Sequence, residues 1–233
     1  MISFIVPAHN EEALIGRTLV ALHEAARVVG EPYEIRVVDD ASTDRTADIA
    51  RAHGACVVSI SRRQIAASRN AGAQAAMGEH FIFVDADTVV SPEVIRAAVR
   101  SLRRGTVGGG CLFRFDGDVP LYADVLRRLA GPVCRAIGLT GGCFLFCTRR
   151  AFLAVGGFNE SLFAAEELAF AQQLKRQGRF VILPECVTTS GRKVREHSAL
   201  EIFSTLGRLA LHETNAFRRR EGLELWYGPR TSG

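Results

Sequence analysis

The sequence predicts an α/β fold: a mostly parallel central sheet between two layers of helices, followed by a C-terminal helical extension. Three observations lead there. Strand and helix patterns alternate through the first hundred residues, as in chains built from βαβ units. The strand segments are continuous apolar runs such as Phe81-Ile82-Phe83-Val84, expected where helices cover both faces of a sheet. With 233 residues and 48% hydrophobic content, the chain can bury one large core.

Ser3 to Val6 reads as the first strand, with Asn10 placed to cap the helix that follows. On that helix Ile15, Leu19, Leu22, Ala26 and Val29 form one apolar stripe, because their spacing matches the helical repeat. Glu34 to Val38 is a second strand, after which Ser42 or Thr43 caps a short helix ending at Gly54. Ala55 to Ile60 gives a third strand and Ile65 to Met77 a third helix, closed by Gly78. His80 to Val84 is the fourth strand. Ser91-Pro92-Glu93 then opens a helix with its cap, first-turn proline and early acid in order, and Val94, Ile95, Ala98, Val99 and Leu102 face inward.

Beyond Gly105 the pattern changes. A Gly-rich strand covers Val107 to Phe115, an amphipathic helix Leu121 to Ile137, and a strand Gly142 to Cys147, so the sheet is expected to become mixed. A helix from Glu166 to Gln177 stops at Gly178, and a last strand runs from Phe180 to Leu183. Leu200 to about Arg220 reads as a further helix, ending in Trp226-Tyr227.

The formal charge of +4 is small and dispersed, which gives no case for nucleic acid. The arginine pairs and the run Arg218-Arg219-Arg220 read as solvated helix ends. Met1 to Pro7 lacks the flanks of a signal peptide and reads as a strand. No apolar run approaches the ~20 residues of a membrane span, so a cytoplasmic protein is expected. The six cysteines (Cys56, Cys111, Cys134, Cys143, Cys147, Cys186) form no Cys-x-x-Cys pair and read as reduced thiols rather than a zinc site.

Chemistry gathers at the strand ends. The fourth strand runs out into Asp85-Ala86-Asp87-Thr88, two carboxylates able to share one hard divalent cation with phosphate oxygens. The loop after the first strand, Pro7-Ala8-His9-Asn10-Glu11-Glu12, has no glycine and so is not a dinucleotide-binding turn. At the second strand's end Asp40 can accept from a nucleobase N–H or a ribose hydroxyl, while Asp44 reads as an acid serving the next helix's N-terminal amides. Arg69, in Ser68-Arg69-Asn70-Ala71-Gly72, offers a guanidinium to a diphosphate at the same edge.

These segments, with Gly156-Gly157-Phe158-Asn159-Glu160-Ser161-Leu162-Phe163 and Glu166-Glu167 behind them, resemble the successive signatures of family 2 glycosyltransferases over roughly residues 3 to 185. The resemblance implies a GT-A fold, a three-layer α/β/α domain at residues 1–190. Its nucleotide-binding half would be 1–104 and its acceptor-binding half 105–190, with 191–233 a basic loop, helix and tail of the same unit. It implies transfer of a sugar, hexosyl-like, from a nucleoside diphosphate sugar to an acceptor hydroxyl with inversion, aided by Mn²⁺ or Mg²⁺. By position, Pro7, His9, Glu11, Val38 and Asp40 would line the nucleoside pocket, with Arg69 near the base or diphosphate and Ala86 near the ribose. Asp85 and Asp87 would hold the metal, with His197 as a further ligand. Glu167 would be the catalytic base, or Glu166 if the loop shifts by a residue. Arg192, Lys193 and Arg195 would form a basic lid over the diphosphate, by charge complementarity.

The chain departs from the family pattern in two places. His9 stands where tyrosine is frequent, and Glu166-Glu167 where Glu-Asp is usual. Other readings of the same residues are two acids opening a helix, a haloacid-dehalogenase-like phosphatase with Asp85 as nucleophile, and a nucleotide-sugar-binding protein without turnover. The Leu, Phe, Trp and Arg mixture of the C-terminal segment suits peripheral contact with the inner face of the membrane and a lipid-linked acceptor.

Overall fold

The computed structural model describes residues 1–192 and 195. In chain order the elements are β1 (Ile2–Ala8), α1 (Ile15–Val29), β2 (Tyr33–Asp40), α2 (Thr46–Ala52), β3 (Cys56–Ile60), α3 (Ile65–Ala75), β4 (His80–Val84) and β5 (Thr88–Val89). They continue with α4 (Pro92–Arg103), β6 (Gly108–Phe115), α5 (Leu121–Ile137), β7 (Phe144–Thr148), α6 (Arg149–Val155), α7 (Glu166–Gln177) and β8 (Phe180–Thr189).

One eight-stranded sheet has the order β3-β2-β1-β4-β7-β6-β8-β5. The pairs β1–β2, β1–β4 and β2–β3 are parallel, β4–β7 and β6–β7 are antiparallel, and β6–β8 is parallel. The expected change to a mixed sheet therefore falls between β4 and β7.

Strand alternation divides the core into two layers. Phe4, Val6, Ile82, Val84, Phe144 and Phe146 join α1 and α4 on one face. Ile5, Phe81, Phe83, Leu145 and Cys147 join α3, α6 and α7 on the other. Both faces are covered, which is why apolar residues fill successive positions of these strands rather than alternate ones.

The inward residues expected on α4 are all buried, and Ser91 accepts from the Val94 amide. Other ends differ. Asn10 does not cap α1: it sits at φ 52° and its Oδ1 accepts from the Thr43 amide at 2.8 Å, while its own amide donates to Ser42 Oγ at 3.0 Å. The residues expected to cap α2 thus join the first two loops to each other. α3 stops at Ala75, two residues early, and β8 continues past Leu183 to Thr189, with a register shift opposite Cys111/Leu112. β5 and α6 were not read from the sequence. All six cysteines are free. No described helix is long and apolar enough to cross a membrane. The expected helix from Leu200, Lys193 and His197 lie outside the described residues.

Candidate functional site

The carboxyl ends of β1, β2 and β4 meet at one edge of the sheet, and β7 enters at that edge because Val84 pairs with Phe144. Among the described residues four non-glycines have positive φ: Asn10, Ala41, Arg63 and Ala165. They lie after β1, after β2, before α3 and before α7, all in loops flanking candidate site residues. Left-handed backbone costs energy for such residues and persists where surrounding contacts over-determine it.

The first two loops are closed by reciprocal hydrogen bonds. The Glu11 amide donates to Thr46 Oγ1 at 2.8 Å and the Glu12 amide to Asp44 Oδ2 at 3.1 Å. Burial would raise Asp44's carboxyl, but bonds from the Thr46 hydroxyl and amide, and then from the Glu12 amide, hold it below its ordinary range. Asp44 is structural, as the sequence suggested. His9 Nδ1 lies 2.8 Å from the Asp40 carbonyl oxygen, so it carries the proton and donates. Pro7 and His9 are half-buried.

Asp40 and Val38 have different surroundings from those expected of pocket residues. Asp40 is buried, and its Oδ1 accepts from the Arg62 and Arg63 amides, both at 2.7 Å. Its Oδ2 accepts from the Gln64 amide at 2.8 Å and Ser68 Oγ at 3.0 Å. That carboxylate anchors the start of α3. Val38 is fully buried beneath α3, close to Gly72. Asp39, on the opposite strand face, is half-buried and accepts from the Ser42 amide at 3.3 Å. Strand alternation was the signal that separates the two aspartates.

Arg69, expected to offer its guanidinium to a diphosphate, heads the fully buried side chains among the described residues, 2% exposed. Its Nη1 donates to Glu166 Oε1 at 2.9 Å. Its Nη2 donates to Asp85 Oδ1 at 3.1 Å and the Gly142 carbonyl at 2.8 Å. The guanidinium also stacks over Phe158, a favourable cation–π placement. Next to it, Asn70 donates to the Phe158 carbonyl and Glu160 Oε1, and accepts from the Phe158 amide at 2.8 Å. The Ser-Arg-Asn and Gly-Gly-Phe-Asn-Glu segments were separate motifs in the sequence; here one holds the other.

Asp85 is one-third exposed, and its Oδ2 has no partner among the described residues. Asp87 Oδ1 accepts from Thr189 Oγ1 at 3.3 Å. The buried Ala86 accepts through its carbonyl from Thr18 Oγ1 at 2.8 Å. Two hard carboxylates, one with an unspent oxygen, fit a divalent cation whose remaining positions are filled by phosphate and water. No group of three His, Cys, Asp or Glu side chains gathers there among the described residues.

Glu166 and Glu167 open α7 directly after the left-handed Ala165. Glu166 is buried and bonded to Arg69, whereas Glu167 is half-buried beside Gly142. A Cβ at Gly142 would lie 3.4 Å from Glu167 Cδ and from Arg69 Nη2, so the glycine lets backbone approach both. Burial first, then repulsion by Glu167, pushes the Glu166 carboxyl up to about 8, against the pull of Arg69. Glu167 is also raised by burial, opposed by Arg69 and by its hydrogen bond with Glu166. Burial and mutual repulsion thus favour a proton on this acid pair. Burial pushes the Cys143 thiol well up, so it is held in the protonated form.

Two members of the expected lid are described. Arg192 Nη2 donates to both Glu11 carboxylate oxygens, at 3.2 and 3.0 Å. Arg195 donates to the Asp116 carbonyl at 2.9 Å and pairs with its carboxylate. Both arginines are committed to acids of the chain itself.

Residues 3–153 match the family described as Glycosyl transferase family 2. An undecaprenyl-phosphate 4-deoxy-4-formamido-L-arabinose transferase of Pseudomonas paraeruginosa is 32% identical over 170 residues, which is 66% of this chain and 48% of that protein. A validoxylamine A glucosyltransferase of Streptomyces hygroscopicus is 28% identical over 129 residues, 52% of this chain and 28% of that protein. The chain thus spans about half the length of such relatives, or less. Among solved structures, the mannosyltransferase PcManGT from Pyrobaculum calidifontis, in complex with GDP-Man and Mn²⁺, superimposes with TM-score 0.67 at 24% identity. That match covers 94% of this chain and 65% of that one. S. aureus TarS 1-349 with UDP-GlcNAc gives TM-score 0.65 at 21% identity, covering 89% and 64%. At these identities the structures establish the shared GT-A fold.

Proposed function

Because the chain belongs to glycosyl transferase family 2, we propose that it transfers a sugar from a nucleoside diphosphate sugar to an acceptor hydroxyl, with inversion. The observation that carries this is Arg69, bonded at once to Asp85 and to Glu166. One guanidinium spans the donor carboxylates and the acid pair, so both half-sites lie within a single side chain's reach.

Asp85, through its unspent oxygen, and Asp87 would hold Mn²⁺ or Mg²⁺ on the donor diphosphate, and a cation bound there offsets charge developing on the leaving nucleoside diphosphate. Mn²⁺ in the PcManGT complex supports this. The loop of Pro7, His9 and Glu11 forms the nucleoside side, with Asp39 as its available strand-end acid. Asp40 and Arg69 act behind the site, holding the start of α3 and the carboxylates. Glu167 accepts the acceptor proton as the sugar moves, a role open to it because Arg69 occupies Glu166 and Glu167 is the less buried of the two. One base and one displacement invert the anomeric centre. Arg192 is placed to exchange Glu11 for a bound diphosphate, assisted by Lys193 and Arg195, and His197 remains a candidate metal ligand. Residues 105–190 supply the acceptor side. The undecaprenyl-phosphate relative supports a lipid-linked acceptor and a peripheral position on the inner membrane face.

Calorimetry with UDP- and GDP-sugars tests this directly. Wild type should bind one donor only with Mn²⁺ or Mg²⁺, and Asp87→Ala should lose that binding. Glu167→Gln should keep donor binding while transfer falls ~10²- to 10⁴-fold. Metal-independent donor binding would remove the cation from the proposal, and full activity of Glu167→Gln would pass the base role to Glu166.

A further inference from the structure

We propose that the outer face of α5 seats the protein on an anionic lipid bilayer. Val125, Leu129, Val133 and Ile137 are all exposed on this helix, Leu129 at 71% and Ile137 at 61%. Spaced four apart, they follow one another along one side, and exposed Leu139 continues the row beyond Gly138. Singly scattered apolar residues are ordinary on a surface, but a contiguous row marks an interaction site. Among the described residues of α5 only Gly131 is buried, against Leu112, and the four residues of the row are turned away from the core.

Charge selects the occupant. Exposed Arg128 lies one turn from Val125 and borders the row, whereas Arg135 is on the other side of the helix and donates to the Leu183 and Pro184 carbonyls of β8; α5 as a whole carries Arg127, Arg128 and Arg135 against the single acid Asp124. Lys175, whose Nζ donates to the Ile137 carbonyl at 3.1 Å, adds charge at the helix's C-terminal end. A second copy packed antiparallel on this face would bring Arg128 against its own counterpart, whereas anionic headgroups neutralise it. An apolar row edged by arginine is the pattern of a helix lying in a membrane interface.

Position supplies the purpose. Past Gly138 the chain runs through Thr140 and Gly141 to Gly142, which touches both Arg69 and Glu167. A bilayer under α5 therefore lies next to the candidate base, on the acceptor side. Delivery of a lipid-borne acceptor rests on the transferase reading; the docking itself does not.

Co-sedimentation of the full chain with vesicles of phosphatidylcholine containing phosphatidylglycerol tests the docking, with pure phosphatidylcholine as control. Wild type should bind the anionic vesicles, less so at high salt. Leu129→Asp and Leu129→Ser/Val133→Ser should each lower partitioning about tenfold or more, with unchanged melting temperature and unchanged Mn²⁺-dependent nucleotide binding. Unaltered vesicle binding by both variants, or none by wild type, overturns the inference. So does a lowered melting temperature without vesicle binding, which would mean that the chain's own residues 196–233 cover the row. A dimer dissociated by Leu129→Asp overturns it in favour of a second copy. Loss of nucleotide binding by wild type that still binds vesicles would sink the transferase reading and leave the docking standing.

Discussion

Burying a guanidinium is costly unless it is paired, and Arg69 meets two carboxyls, a carbonyl and an aromatic face, its Nε being left without a partner among the described residues. Three carboxyls, Asp85, Glu166 and Glu167, surround this one cation, so burial and mutual repulsion favour a proton on the cluster, and the Glu166 carboxyl is raised to about 8. That rise has a measurable sign. Glu166 titrates near its ordinary 4.5 when unfolded and at about 8 when folded. Between those values the folded state holds more protons, and stability falls as pH rises, by at most about 1.4 kcal/mol per pH unit for one proton. Urea midpoints from pH 5 to 9 should show this decline, and Glu166→Gln should reduce the slope, while the raised Glu167 keeps it from vanishing. An unchanged slope would place the proton elsewhere. The sequence marked Glu166-Glu167 as a pair of acids. It could not say which one Arg69 would claim, because that follows from a contact across 97 residues.

At the scale of elements, periodicity and caps were reliable where they agreed. α4, α5 and α7 have the expected ends, since stripe, first-turn chemistry and terminal Gly or Arg all pointed the same way. α6 carried a signal too, with Thr148 accepting from the Ala151 amide and Gly156 left-handed, but it follows β7 without a loop and is short. β5 has two residues, too few for any alternation to register. Asn10 misled because its side chain met a second loop before it met a helix. Close packing decides other positions: a Cβ at Gly72 would lie 2.5 Å from Ile5 Cγ2 and 2.9 Å from Val38 Cγ2. Alanine is the better helix former by ~1 kcal/mol, yet overpacking a dry core costs ~1–3 kcal/mol. Gly72→Ala should therefore lower stability, read as a reduced urea midpoint at constant slope; a stabilised variant would show that α3 can move off β1 and β2.

At the scale of the whole molecule, the expected halves 1–104 and 105–190 share one sheet. β4 pairs with β7, β5 pairs with β8, and the core residues of α1 and α4 pack with Cys143, Phe144 and Phe146. Neither half closes its own core, so calorimetry should show one cooperative transition for the α/β unit, and two resolved transitions would contradict the interleaved sheet. The sequence by itself determined the order of strands and helices, the change to a mixed sheet, and which strand ends carry acids, because these follow from local periodicity and capping. Only the tertiary structure decided which of those polar groups remain available for chemistry. Asp40 is consumed by the amides of 62–64, Arg69 by Asp85 and Glu166, and Glu11 by Arg192 from 181 residues away. Burial and hydrogen bonding act through space, and the spacing of residues along a chain does not encode who will stand beside them once it folds.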